Sequence, residues 1–134
     1  MQNIQPIQLE NASDATRRLV ATATADNGLP SNMIKSMAQS HTVLEGYLQF
    51  SRALKGGKLD QEEREQIALA VAQANLCEYS LAYHTARARK LGLTNDDILA
   101  SREGRATDIK VDAALRFASV SPGIKRPQFA RFCS

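Results

Sequence analysis

The chain has 134 residues, 43% of them hydrophobic and 23% charged, which suits one globular domain and excludes a chain too polar to fold. A net charge of +3 is too small to argue for nucleic acid, and the longest apolar run, Ile67 to Ala72, is too short to cross a bilayer. Trp is absent and aromatic residues make up only 5%, so the core must be built from Ala, Leu, Ile and Val, which favours packed helices over a β-sandwich.

Helix punctuation recurs along the chain. Met1 to Glu10 has no basic start and no apolar core, so it does not read as a signal peptide. Asn11 or Ser13 can cap a first helix ending near Asn27-Gly28. Pro30-Ser31 opens a short second one with Met33, Ile34 and Met37 on its apolar face. Ser40 begins a third, where Val43, Leu44, Tyr47, Leu48, Phe50 and Leu54 recur at helical spacing until Gly56-Gly57 stop it. Asp60-Gln61-Glu62-Glu63 is a capping box for a fourth, with Ile67, Val71 and Ala74 marking its face and Ala68 and Ala72 widening it. After a break near Asn75-Leu76 a fifth starts about Cys77 and runs to Lys90-Leu91, closed by Gly92. Thr94 caps a sixth through Leu99, with Asp96 and Asp97 in its first turn. Asp108 begins a last one to about Ala118.

No segment alternates at period two long enough to read as a strand. The expected organisation is one all-α domain over residues 1–120, with an irregular tail over 121–134. Pro122, Gly123 and Pro127 break helix in that tail; Phe129 and Phe132 are its large apolar groups, as in an arm that docks on another surface. Arg87, Arg89 and Lys90 cluster, but as a solvated helix face rather than a phosphate site. The two cysteines, Cys77 and Cys133, do not form a disulfide framework, and a reducing, cytoplasmic setting is the expectation.

Chemistry concentrates in Glu65, Cys77, Ser80 and His84, spaced E-x11-C-x2-S-x3-H. Steps of three and four residues stack Cys77, Ser80 and His84 on one side of a helix, and Glu65 can reach them from the helix before. A cysteine in the first turn of a helix gains thiolate stability from unpaired N–H groups and the positive helix end. His84 can move a proton near residue 80, and Glu65 can orient the imidazole or a water. Against this, a lone cysteine or histidine on an Ala/Leu-rich face is more often inert packing. One Cys, one His and one distant Glu make a poor metal set, and no glycine-rich phosphate loop is present.

The stretch from Leu59 to Phe117 resembles the alkylhydroperoxidase D-like and carboxymuconolactone decarboxylase superfamily. Leu59-Asp60, Arg64-Glu65, Ile67-Ala68-Leu69-Ala70-Val71, Asn75-x-Cys77, His84-Thr85, Lys90-Leu91-Gly92-Leu93-Thr94, Asp97-Ile98 and Lys110-x2-Ala113-Ala114-Leu115 carry the likeness. Glu65, Cys77 and His84 match the peroxidase branch's E-x11-C-x2-C-x3-H position by position. The resemblance implies an all-α fold, assembled as trimers or hexamers, that reduces a small-molecule peroxide at the expense of a thiol reductant. It implies no metal, haem or flavin cofactor, while the weak net charge and short apolar runs leave no nucleic acid and no membrane among the expected partners. In that branch the second thiol attacks peroxide, the first resolves it, and glutamate, histidine and a water relay protons.

Ser80 departs from the pattern, because a serine hydroxyl forms neither a sulfenic acid nor a disulfide. Either the lineage has given up dithiol chemistry or the serine has been introduced. Many relatives also continue into further helices where this chain turns into its Pro-containing tail, so a pocket wall would be absent or supplied by a neighbouring subunit. The expected function is therefore an impaired or one-thiol peroxidase. Two readings stand beside it: a decarboxylase acting on a small lactone acid by general acid–base chemistry, and a non-catalytic helical assembly.

Overall fold

The computed structural model describes residues 4–24 and 29–120. Among these residues the chain forms seven α-helices, one short 3-10 turn at Leu9–Asn11 and no strand. The helices fall into two compact units, Met1–Gly57 and Lys58–Ser134. The tail expected over 121–134 and the first helix's expected end near Asn27-Gly28 lie outside the described residues.

Unit one holds α1 (Asp14–Thr24), α2 (Asn32–Met37) and α3 (His41–Lys55). Each starts behind a serine. The Ser13 hydroxyl accepts the Thr16 N–H at 3.2 Å, Ser31 accepts that of Ile34 at 3.3 Å and Ser40 that of Val43 at 3.5 Å. These bonds satisfy donors that have no partner inside the helix. The core of the unit is Val20, Ile34, Ala38 and Leu44, with Leu48 and Met37 packed against it. The apolar repeat expected on α3 divides in two. Leu44 and Leu48 face the core, whereas Val43, Tyr47, Phe50 and Leu54 remain on an exposed stripe. Periodicity finds apolar positions on a helix but does not say which of two adjacent stripes a neighbour covers.

Unit two holds α4 (Gln61–Ala74), α5 (Glu78–Lys90), α6 (Asn95–Arg102) and α7 (Ile109–Val120). Asp60 with Glu63 and Thr94 with Asp97 form reciprocal capping boxes at the starts of α4 and α6. α4 packs against α5, α6 and α7 alike, so it has apolar contacts on more than one side. Leu69 joins Ala88 and Ile98, while Ala70 joins Val111 and Leu115. The Ile67–Val71–Ala74 face expected from the sequence, widened by Ala68 and Ala72, is corrected in part: Ile67 packs against the Ala70 cluster and Ala72 is buried, as expected. Val71 is exposed, and Glu65, Leu69, Ala70 and Ala72 are the buried positions. A helix surrounded by three others does not show one clean stripe, which is why a single-face reading misplaced its core.

Three helices of this unit end in the same way. After each, the backbone steps into the left-handed region, and two N–H groups turn back onto the last turn's carbonyls, a Schellman motif. Gly92 (φ 96°) and Gly104 (φ 74°) take that step after α5 and α6. After α4 it falls to Leu76, at φ 53°. There the Leu76 N–H donates to the Gln73 carbonyl at 3.1 Å and the Cys77 N–H donates to that of Ala72 at 3.0 Å. A left-handed leucine costs about 1–2 kcal/mol. The strained turn delivers the chain directly to Cys77.

Candidate active site

Cys77 is the N-cap of α5, one residue before the first turn in which the sequence reading put it. Its side chain makes no capping bond to the helix, and the residue is buried. Cys77 Sγ and Ser80 Oγ lie 3.1 Å apart. Cys77 is disulfide-bonded, which corrects the expectation that its sulfur stands apart from any disulfide; Cys133 lies outside the described residues. Spacing along the sequence does not reveal which sulfur the fold brings to a cysteine. A disulfide sulfur carries no hydrogen, so the Ser80 hydroxyl is the donor in this state. Once Cys77 is reduced, either group can donate.

The second pair is Glu65 with His84. Glu65 projects from α4 with its side chain only 10% exposed, and its Oε2 lies 2.7 Å from His84 Nδ1. The contact expected between these two residues is present, and it is direct. Its other oxygen, Oε1, accepts a hydrogen bond from Arg87 Nε at 2.9 Å. Burial pushes the Glu65 carboxyl up, but the His84 hydrogen bond and the Arg87 charge outweigh it and leave it below the ordinary carboxylate value. An ionised carboxylate only accepts hydrogen bonds, so Nδ1 must carry the hydrogen. In the neutral imidazole Nε2 then holds the lone pair.

Four residues singled out in the sequence are thus joined as two contacts, Cys77 with Ser80 and Glu65 with His84. The register of α5 stacks Ser80 and His84, four apart, on one face. Sequence reasoning passed over Arg87 and Tyr83. Arg87 was grouped with Arg89 and Lys90 as surface charge, yet its side chain is 29% exposed and bound to a buried acid. The signal was available: Arg87 lies three residues after His84, on the same side of the helix. Arg102 similarly reaches Gln73 Oε1 at 2.9 Å, tying α6 to α4.

Among the described residues, no group of three or more His, Cys, Asp or Glu is arranged to hold a metal ion. No helix there is long and apolar enough to cross a membrane.

The class of protein these features define is all-helical, with a buried acid paired to an imidazole on the helix that a cysteine caps. Within it, the family model for the carboxymuconolactone decarboxylase family matches residues 42–121. The chain belongs to that family, which is part of the alkylhydroperoxidase D-like superfamily. No curated protein matches the chain.

Proposed function

We propose that this protein is a thiol-dependent peroxidase of the alkylhydroperoxidase-like type, restricted by Ser80 to chemistry at one sulfur. The observation that carries the reading is the 2.7 Å contact of His84 Nδ1 with a buried, ionised Glu65, on the helix that begins at Cys77 and Ser80. Such a pair is suited to moving a proton. A thiol reductant first opens the Cys77 disulfide. His84 Nε2 takes the proton of the Cys77 thiol, the thiolate attacks the terminal peroxide oxygen, the O–O bond breaks, and the departing alkoxide takes that proton back from His84. Cys77 is left as a sulfenic acid and the peroxide as an alcohol. A reductant thiol then condenses with the sulfenic acid and releases water. A second thiol resolves the mixed disulfide and regenerates Cys77. A reducing, cytoplasmic setting belongs to this reading, because the cycle consumes thiol.

The substitution Ser80→Cys tests it. Restoring the dithiol should raise thiol-dependent peroxidase turnover by at least about an order of magnitude, on the logic that an intramolecular thiol resolves faster than one from solution. It should also create a disulfide between positions 77 and 80, seen by mass spectrometry. No gain and no such disulfide would sink the reading. The alternative it would leave is acid–base chemistry of the decarboxylase kind. Arg87 favours that second reading, since it brings a cation beside a pair that needs no thiol.

The same proposal includes a homo-oligomer, a trimer or hexamer by the family resemblance. The exposed stripe Val43, Tyr47, Phe50 and Leu54 on α3 supports it, because contiguous apolar surface of this kind marks association sites. Light scattering at micromolar concentration should return a trimer or larger; a clean monomer would count against it.

A further inference from the structure

We propose that Arg87 is the positioning residue of this site: it clamps Oε1 of Glu65 and thereby commits Oε2 to the Nδ1–H of His84. The inference rests on reading Glu65 and His84 as a proton-transfer pair, and it concerns what holds that pair in register. A carboxylate with one partner can exchange its two oxygens or turn away. Glu65 has two partners on two oxygens, Nδ1 of His84 at 2.7 Å and Nε of Arg87 at 2.9 Å. Both come from α5, three residues apart, so one rigid helix presents the two donors at a set separation.

Arg87 is itself held. Its Nη1 donates to the Tyr83 hydroxyl at 3.3 Å, and its guanidinium carbon lies 5.7 Å from the Tyr83 ring centroid. The Tyr83 ring also stands edge-on to the His84 imidazole, 5.1 Å away at 84°. Tyr83 therefore braces both donors.

Charge gives the clamp its chemical effect. Were His84 the sole partner of a buried acid, the proton could rest on either group. Burial favours the neutral acid, and the His84 hydrogen bond together with the fixed guanidinium charge outweighs it, which leaves the Glu65 carboxyl below its ordinary value. The charges that other packed helices send to α4 go elsewhere: Arg102 of α6 to Gln73, and Lys110 of α7 to Glu63. Among the described residues, the charged or titratable partners of Glu65 are His84 and Arg87. The outcome is one tautomer, with Nε2 as the basic nitrogen.

Nitrogen-15 NMR of the His84 ring and carbon-13 NMR of the Glu65 carboxyl, on the full chain, test this. The parent protein should show a single Nδ1–H tautomer. Arg87→Gln should give mixed tautomers and a Glu65 carboxyl about tenfold more avid for protons, since an adjacent cation is worth at least that much. Arg87→Lys should hold the Glu65 titration closer to the parent but still mix the tautomers, because an ammonium lacks the planar fork. A folded Arg87→Gln protein with the parent tautomer and the parent Glu65 titration would overturn the proposal. Should Arg87→Gln fail to fold, an unchanged single tautomer in Arg87→Lys overturns it instead. These readouts do not depend on turnover. If Ser80→Cys proves inactive while the Arg87 variants shift the spectra, the peroxidase reading falls and the clamp stands.

Discussion

The chain has two histidines, and their surroundings differ in kind. His41 sits in unit one with a side chain 44% exposed, Nδ1 3.4 Å from Thr16 Oγ1 and Nε2 3.9 Å from an exposed Glu45 carboxylate. His84 sits in unit two, 2.7 Å from a carboxylate that is itself buried and paired with an arginine. Both histidines have an acid nearby, and His41 even has a hydroxyl beside it. What separates them is water. Around His41 solvent screens the long contact with Glu45 and leaves it weak. Around His84 the partner is desolvated and tied on both oxygens, so its orientation is set. A histidine with an acid beside it is a common arrangement; the buried, doubly held acid is what makes one a candidate base.

The largest expected effect separates the two histidines by rate. In the Ser80→Cys background, His84→Ala should lower peroxidase turnover by about 10²–10⁴-fold, the usual worth of a positioned proton-transfer group. His41→Ala should leave turnover unchanged. Equal losses from the two variants would show that the different surroundings of the two histidines have no functional consequence.

Stability should divide the acids in the same way. Glu65→Gln leaves Arg87 and His84 facing an amide, and breaking a buried pair of this kind costs about 3 kcal/mol. Glu45→Gln, at an exposed pair, should cost less than about 0.5 kcal/mol. Urea titration of both variants decides this. The pH dependence adds a sign. The folded Glu65 carboxyl lies below its ordinary value of 4.5. Its contribution is therefore fully present above that pH and is lost as pH falls through the lower, folded value. The stability gap between the parent and Glu65→Gln should narrow below pH 4.5. A gap that stayed constant with acid would mean the charge contributes nothing.

The smallest effect concerns the two ends of α5. Gly92 and Leu76 occupy the same left-handed position after successive helices. A Cβ at Gly92 would meet nothing within 4 Å, so Gly92→Ala should cost only the backbone term, about 1 kcal/mol. Leu76 is 62% exposed and loses little packing when truncated, so Leu76→Gly should gain several tenths of a kcal/mol. Thermal unfolding of the pair gives both values. A destabilised Leu76→Gly would mean that the leucine side chain contributes more to the turn before Cys77 than its exposure suggests.

Much of this was legible along the chain. Asp60 with Glu63 and Thr94 with Asp97 read as helix starts and are capping boxes, because capping is a contact between residues three apart. Gly92 read as a stop for the same local reason. Glu65, Cys77, Ser80 and His84 were found from spacing and resemblance, and a fixed helical register carries such spacing into space. Contacts between helices were not legible. Which face of α4 is buried depended on its having three neighbours, and which stripe of α3 is covered depended on where the core of unit one formed. Arg87 looked like one more surface cation until α4 brought a buried carboxylate beside it. Local order in this protein is written in separations of three and four residues, which the sequence states directly. The acid that orients the candidate base is joined to His84 and Arg87 across 19 and 22 positions, and only packing in three dimensions decides which side chains meet over such separations and which of them lose their water.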